Sequence, residues 1–129
     1  MIVDSSAVIA ILRLEPEAAD LSDAISAARV KRLTAPGYLE ICMVIGGRRA
    51  DRSINEVDRF IREADIEVIP FTPQAAEVAV QAFLRHGKGR HPAGLNFGDC
   101  ISYAAAKTEL MPLLFKGDDF RLTDIEAAI

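Results

Sequence analysis

The sequence is short of the features that mark several large classes of protein. Its 129 residues include only two cysteines, Cys42 and Cys100, both inside apolar stretches. Two such thiols do not fit a disulfide scaffold or a cysteine-rich zinc site, so we expect free, buried thiols in the reducing cytoplasm. No apolar run approaches the roughly 20 residues that cross a bilayer, and the N-terminus lacks the basic region of a signal peptide. We therefore expect no membrane partner.

An excess of positive charge is also missing. The chain has 15 Lys and Arg against 19 Asp and Glu, a net charge of −4, and its pI is near 5.1. Any binding of nucleic acid must therefore depend on local groups of basic residues rather than on overall charge. The candidates are Arg85, Lys88, Arg90 and Lys116, with Arg48, Arg49 and Arg52 as a second group. A solvated loop or helix end explains each of them equally well.

The remaining composition is that of one ordinary globular domain. Half of the residues are hydrophobic and 26% are charged. A chain of this length corresponds to one domain, here residues 1–129, which can bury about two-thirds of its unfolded surface. The six phenylalanines are expected mostly in the core.

Short apolar runs alternate with helical patterns along the chain. The runs predict strands at residues 1–3, 30–35, 66–71 and 113–116. The helical patterns cover residues 7–14, 17–28, 36–50, 54–64, 73–86 and 99–110. Expected N-caps are Ser5 or Ser6, Ser53 in a capping box with Glu56, and Thr72, while Gly87 ends the fifth helix. This alternation predicts an α/β fold with a mainly parallel sheet and helices on both faces.

Several acidic residues lie in unexpectedly apolar surroundings. Asp4, Glu40 and Asp99 are each the only charged residue of an apolar segment, and Asp118 and Asp119 follow a predicted strand. A lone carboxylate costs several kcal/mol to desolvate unless something compensates it, and a bound cation is one such compensation.

Each acid also has a simpler explanation. Asp4, Asp118 and Asp119 suit turns, Asp99 suits a helix cap, and Glu40 could lie on the solvent edge of an amphipathic helix. The joint pattern is more informative, because the carboxyl ends of parallel strands converge on one edge of the sheet. A carboxylate cluster there favours a hard cation such as Mg²⁺ or Mn²⁺, which binds phosphate oxygens and suggests a phosphodiester substrate.

The same residues resemble the PIN-domain family, and within it the VapC-type ribonuclease toxins of type II toxin–antitoxin pairs. The resemblance rests on four features in the family's order over the whole chain. They are the opening MIVDSSA, Glu40 in an apolar helix, NFGDC at Asn96–Cys100, and LLFKGDDF at Leu113–Phe120 followed by Thr123-Asp124-Ile125. The resemblance implies a three-layer α/β/α sandwich, a Mg²⁺- or Mn²⁺-dependent endoribonuclease, a VapB-type antitoxin and a homodimer.

Carried over by position, the resemblance also implies a set of site residues. Asp4, Glu40 and Asp99 match the core acids, and Ser6 matches the hydroxyl residue that supports the site. Many relatives have an aspartate where this chain has Gly117. The fourth acid is therefore either Asp119, matched through Phe120, or Asp118. Asp4 and Asp99 would bind the ion, with Glu40 and the fourth acid completing the ligands directly or through water.

Two other functions stay open on the sequence alone. The chain could be a non-catalytic module that uses the same fold to bind a partner, which loss of a core acid would favour. It could also be a metal-dependent phosphatase, although it has no evident nucleophile motif. A preference for phosphate monoesters over diesters would distinguish this enzyme from a nuclease.

Overall fold

The computed structural model describes the backbone of residues 1–47 and 50–129 and the side chains of residues 1–47 and 54–129. Over these ranges the strands are β1 (Ile2–Val3), β2 (Arg32–Thr34), β3 (Glu67–Ile69) and β4 (Leu113–Leu114). The helices are α1 (Ser5–Leu12), α2 (Ala18–Ala27), α3 (Ala35–Gly46), α4 (Ala50–Glu63), α5 (Pro73–His86) and α6 (Phe97–Glu109). A 3-10 turn, Asp119–Leu122, follows β4. None of the helices described has the length and hydropathy needed to traverse a bilayer.

The four strands form one parallel sheet in the order β3-β2-β1-β4. The central strand β1 pairs through Ile2 with Arg32 of β2 on one side and with Leu113 of β4 on the other. The parallel direction follows from the pair of helices that lies between consecutive strands, since such a helical crossover returns the chain to the same end of the sheet. The predicted α/β class is confirmed.

Helices cover both faces of the sheet, and each face has its own core. Val3 and Leu114 pack with residues of α1 to α4, whereas Ile2 and Leu113 pack with residues of α5 and α6. Successive strand residues point to opposite faces, so two-residue strands supply one side chain to each core. The result is the three-layer sandwich expected from the sequence. Both thiols are free, with Cys100 buried and Cys42 half-buried.

Helix starts agree only partly with the sequence expectations. Thr72 caps α5 and Gly87 ends it, as predicted. The N-cap of α1 is Asp4 rather than Ser5 or Ser6, because the Asp4 carboxylate accepts the hydrogen bond from the backbone of the first turn. The predicted cap at Ser53 is also wrong, since α4 already begins at Ala50. Serine is only mildly unfavourable inside a helix, so its presence does not force a start there.

Candidate active site

Asp4 lies directly after β1 at the carboxyl edge of the sheet and is almost fully buried. Its Oδ2 accepts hydrogen bonds from the backbone N–H of Ser6 at 2.9 Å and from the Ser6 hydroxyl at 2.5 Å. Its Oδ1 accepts a hydrogen bond from the hydroxyl of Ser102 in α6, also at 2.5 Å. These three donors compensate part of the cost of burying the carboxylate.

Ser6 connects the ends of two neighbouring strands. While its hydroxyl donates to Asp4, the same oxygen accepts a hydrogen bond from the backbone N–H of Lys116 at 3.0 Å. Lys116 follows β4, so the segment that leads to Asp118 and Asp119 is fixed against the segment that carries Asp4. This geometry gives a physical basis for the supporting role that the resemblance implies for Ser6.

Glu40 projects from the middle of α3 and lies between two other helices. The hydroxyl of Ser5 in α1 donates a hydrogen bond to its Oε2 at 2.7 Å. On the α6 side, a Cβ atom added to Gly98 would lie only 3.0 Å from Oε2 and 3.3 Å from Oε1. A side chain at this position would therefore displace the Glu40 carboxylate by a few tenths of an ångström, which glycine avoids.

Asp99 is a capping residue of α6, as the simpler explanation predicted, and it also lies within the electrostatic range of other acids. It forms a capping box at the start of α6, in which its Oδ2 accepts from the Asn96 N–H at 2.8 Å and its own N–H donates to Oδ1 of Asn96 at 3.0 Å. The pKa of Asp99 is raised to about 6, mainly by burial and further by the negative charges of Asp4, Asp119 and Glu40, while the hydrogen bond from the Asn96 N–H opposes the rise. The charges of three other carboxylates therefore act on the Asp99 carboxyl group.

The two adjacent candidates for the fourth acid have different surroundings. Asp119 begins the 3-10 turn and is one of the acids whose charge raises the pKa of Asp99. The Asp118 side chain is 93% exposed, and its Oδ1 lies 3.8 Å from Nε of Arg121. Asp119 is also exposed, but unlike Asp118 it is close enough for its charge to act on Asp99.

The donor chemistry of this cluster fits a hard divalent cation. Asp4, Glu40, Asp99 and Asp119 offer only carboxylate oxygens, the ligand type that Mg²⁺ and Mn²⁺ prefer. Among the described residues, however, no three or more His, Cys, Asp or Glu side chains lie close enough together to hold a metal ion as they stand. The pKa of Asp99 is raised mainly by burial and further by the charges of Asp4, Asp119 and Glu40, and a bound cation would offset both effects.

A groove of about 490 Å³ opens beside Glu40 and Ser102, and a second, more apolar pocket of about 590 Å³ adjoins it. Phe97, at the first position of α6, lines both and is 83% exposed. The expectation that the phenylalanines lie mostly in the core is therefore wrong for this residue, because a helix start at the sheet edge has no layer to cover it.

The basic residues considered for nucleic-acid binding tell less about the function than the acids do. The Lys116 ammonium pairs with Glu15 and lies 3.7 Å from Glu17, and the Arg90 guanidinium lies 5.1 Å from the centre of the Phe83 ring. Of the second group, Arg48 and Arg49 and the side chain of Arg52 lie outside the described residues.

Sequence reasoning missed four residues that contact the acids: Ser5, Asn96, Gly98 and Ser102. The capping box had a local signal, since Asn96 precedes Asp99 by three positions. Ser102 had a weaker one, because residues three apart share a helix face. Nothing local pointed to the contacts of Ser5 and Gly98 with Glu40, since these depend on how α1, α3 and α6 pack.

Comparison with known proteins gives a consistent result. Residues 1–126 match the PIN domain family. The chain is 47% identical over 130 residues to Ribonuclease VapC28 of Mycobacterium tuberculosis, with 100% of this chain and 98% of the relative covered. It is 43% identical over 127 residues to Ribonuclease VapC of Mycolicibacterium smegmatis, with 98% of each chain covered.

Solved structures with low sequence identity share the fold. The sarcin-ricin loop cleaving toxin VapC20 of Mycobacterium tuberculosis superposes with a TM-score of 0.76 at 15% identity, covering 96% of this chain and 95% of the other. VapBC2 of Rickettsia felis, bound to a promoter DNA fragment, gives a TM-score of 0.75 at 11% identity, covering 98% and 95%. The sandwich is therefore similar to that of both proteins.

Proposed function

This chain belongs to the PIN-domain family and to its VapC ribonucleases, and from that premise we propose that it hydrolyses RNA phosphodiester bonds as the toxin of a toxin–antitoxin pair. The observation that carries the proposal is the acid cluster at the carboxyl edge of the sheet. Asp99 feels the charges of Asp4, Glu40 and Asp119, three acids from three other segments of the chain. Packing like charges together is unfavourable for a structural role alone and suits a cation-dependent reaction.

The finer part of the proposal is dependence on Mg²⁺ or Mn²⁺. Asp4 and Asp99 would hold the ion, with Glu40 and Asp119 completing its ligands directly or through water. When bound, such an ion lowers the pKa of its water and polarises the scissile phosphate. Ser6 and Ser5 keep Asp4 and Glu40 in fixed orientations through hydrogen bonds to Oδ2 and Oε2. Ligating carboxylates are commonly held in this way.

We also propose two protein partners. The first is a VapB-type antitoxin, supported by the likeness in fold to VapBC2 of Rickettsia felis and by the VapC relatives. The second is another copy of this chain, as the resemblance implies. An apolar surface around Phe97 supports it, and we call this surface the Phe97 face. Its exposed side chains are Leu39, Met43, Val80, Phe83 and Phe97. Such a contiguous apolar patch usually contacts another macromolecule.

The activity is tested by incubating purified, antitoxin-free protein with total RNA in Mg²⁺, in Mn²⁺ and with chelator. Asp4→Asn and Asp99→Asn variants are compared with Asp23→Asn, which changes an exposed aspartate of α2. We expect discrete fragments that need the metal, vanish in the first two variants and persist in the third. Asparagine can still accept the N-cap and capping-box hydrogen bonds, so the folds should survive, as circular dichroism would verify.

The other outcomes identify the alternatives. Folded wild-type protein that cleaves no RNA with either metal would contradict the nuclease and favour a non-catalytic binding module. Release of phosphate from monoesters in place of diester cleavage would point to a phosphatase. Metal-independent cleavage that survives Asp4→Asn and Asp99→Asn would remove the acid cluster from the mechanism.

A further inference from the structure

The hydrogen bonds of Asp4 leave little of its carboxylate free. A carboxylate has about four lone-pair positions, two on each oxygen. Oδ2 already accepts from the N–H and the hydroxyl of Ser6, and Oδ1 accepts from the hydroxyl of Ser102. With donors from the described residues counted, one lone-pair position of the Asp4 carboxylate remains unoccupied, and it is on Oδ1. The direction of that position is set by the donor that shares the same oxygen, which is Ser102.

Ser102 is an unusual residue for its place in α6. It is nearly fully buried in a run that also buries Ile101, Tyr103 and Ala104. A buried hydroxyl is costly unless it is hydrogen-bonded, and serine or threonine in a helix often donates back to a carbonyl of the preceding turn. Thr108 of the same helix does so, donating to Ala104 O at 2.9 Å. Ser102 instead donates its hydroxyl proton to a side chain 98 positions earlier.

The location of Ser102 links the two acids expected to bind the ion. Ser6 is two residues from Asp4 and ties its carboxylate to the segment after β4 through the Lys116 N–H, but it makes no link to α6. Ser102 is three residues from Asp99 on the same helix, and residues at that spacing share a helix face. The Ser102–Asp4 hydrogen bond therefore fixes Asp4 relative to the helix that carries Asp99.

We propose that Ser102 is a positioning residue of the metal site, which holds Oδ1 of Asp4 so that this oxygen is the single ligand atom that Asp4 presents to the ion. The proposal rests on the function proposed above and adds a residue to it. Loss of the hydroxyl would let the carboxylate rotate about its Ser6 hydrogen bonds. The spacing between the Asp4 and Asp99 oxygens would then no longer be fixed.

The test measures Mn²⁺ binding by calorimetry for the wild type and for Ser102→Ala, Ser102→Cys and Ser102→Thr. Removing a residue that orients a metal ligand typically costs about 10- to 100-fold in metal affinity. We expect such a loss for alanine and for cysteine, whose thiol is a weak donor. Threonine keeps the hydroxyl, and its methyl group can face the groove that Ser102 lines, so it should restore binding. Thr108→Ala is the control on the same helix and should bind Mn²⁺ like the wild type.

A second readout separates positioning from a merely structural role. With RNA as substrate, Ser102→Ala should lower kcat while leaving KM almost unchanged, because the hydroxyl contacts Asp4 and not the RNA. Thermal unfolding without metal shows whether each variant is folded at the assay temperature. If the alanine variant does not fold, the threonine variant still tests whether the hydroxyl is required.

The outcomes distinguish this proposal from the function on which it rests. Wild-type protein that binds no Mn²⁺ would overturn the metal site and the role of Ser102 together. Wild-type protein that binds Mn²⁺, with a folded alanine variant of equal affinity, would overturn the role of Ser102 alone. A threonine variant as weak as the alanine variant, although folded, would also contradict it, because the hydroxyl would then not be what matters.

Discussion

The hydroxyl of Ser5 donates a hydrogen bond at 2.7 Å to Oε2 of Glu40, and it thereby joins the first turn of α1 to the middle of α3. On the α6 side of the same carboxylate is Gly98, the residue before Asp99. Glu40 is thus held between a donor on one helix and a close backbone approach on another. Small changes on either side should move this carboxylate without disturbing the cores.

Gly98→Ala should reduce activity without reducing stability. The added Cβ would lie 3.0 Å from Oε2 of Glu40, so the carboxylate must shift by a few tenths of an ångström. Gly98 has no positive φ, and alanine is favoured over glycine inside a helix by about 0.5–1 kcal/mol. We expect cleavage to fall by about tenfold, since misplacement by 1 Å can cost about 100-fold. Cleavage rates and the free energy of unfolding are measured together.

The matched control for that variant is Gly46→Ala. It makes the same chemical change in a helix, α3, at a position where an added Cβ would meet no atom of the described residues within 4 Å. Its cleavage rate should equal that of the wild type. Equal activity in the Gly98 and Gly46 variants would mean that the placement of Glu40 does not limit the reaction.

Substitution should also distinguish the two adjacent aspartates. Asp119→Asn removes a charge that acts on Asp99, whereas Asp118→Asn removes one that is 93% exposed and faces Arg121. We expect the first variant to lose about 10- to 100-fold in Mn²⁺ affinity or cleavage, as for other groups around a metal, and the second to stay near wild type. The reverse order of effects would assign the fourth acid to Asp118.

The stability of the metal-free protein should fall as pH rises from about 4 to about 6. The pKa of Asp99 is raised to about 6 in the fold, mainly by burial, from an ordinary value of 3.8. Between these values the native state binds more protons than the unfolded state, so the free energy of unfolding decreases with increasing pH. Asp99 is half ionised at about pH 6, and its unfavourable effect is nearly complete about one pH unit higher. The lowered pKa of Asp124, about 2, acts below this window.

Urea unfolding in chelator at pH 5 and pH 7.5 checks this expectation. Asp99→Asn has no such titration, so it should be more stable than the wild type at pH 7.5, with a smaller difference at pH 5. Added Mn²⁺ should stabilise the wild type more than the variant, because only the wild type keeps the full ligand set. Wild-type and variant stabilities that differ equally at both pH values would argue against the raised pKa.

Phe97→Glu should convert a dimer to a monomer. The side chain is 83% exposed at the centre of the Phe97 face, and a charge there would have to be desolvated in an apolar interface. Light scattering after gel filtration measures the mass in solution. Leu110→Glu is the control, since Leu110 is 90% exposed just beyond the other end of α6. A wild-type monomer, or a dimer that persists in the Phe97 variant, would exclude this face as the interface.

The sequence by itself determined the class of the fold, and it singled out three of the acids that we propose for the site. Strand and helix periods are properties of the local backbone, so the order of elements and the parallel sheet could be predicted, and so could the helix from Pro73 to His86. Asp4, Glu40 and Asp99 were recognisable because each is a lone charge in an apolar segment, a local contrast that needs no structure.

The tertiary structure alone decided which groups meet. The hydrogen bonds from Ser102 to Asp4 and from Ser5 to Glu40 span 98 and 35 positions, and they exist only because α1, α3 and α6 converge on the same edge of the sheet. The exposure of Phe97 and the proximity of Asp119 to Asp99 depend on the same packing. Local periodicity sets which way a side chain points from its own element, whereas the packing of distant elements sets what it encounters there.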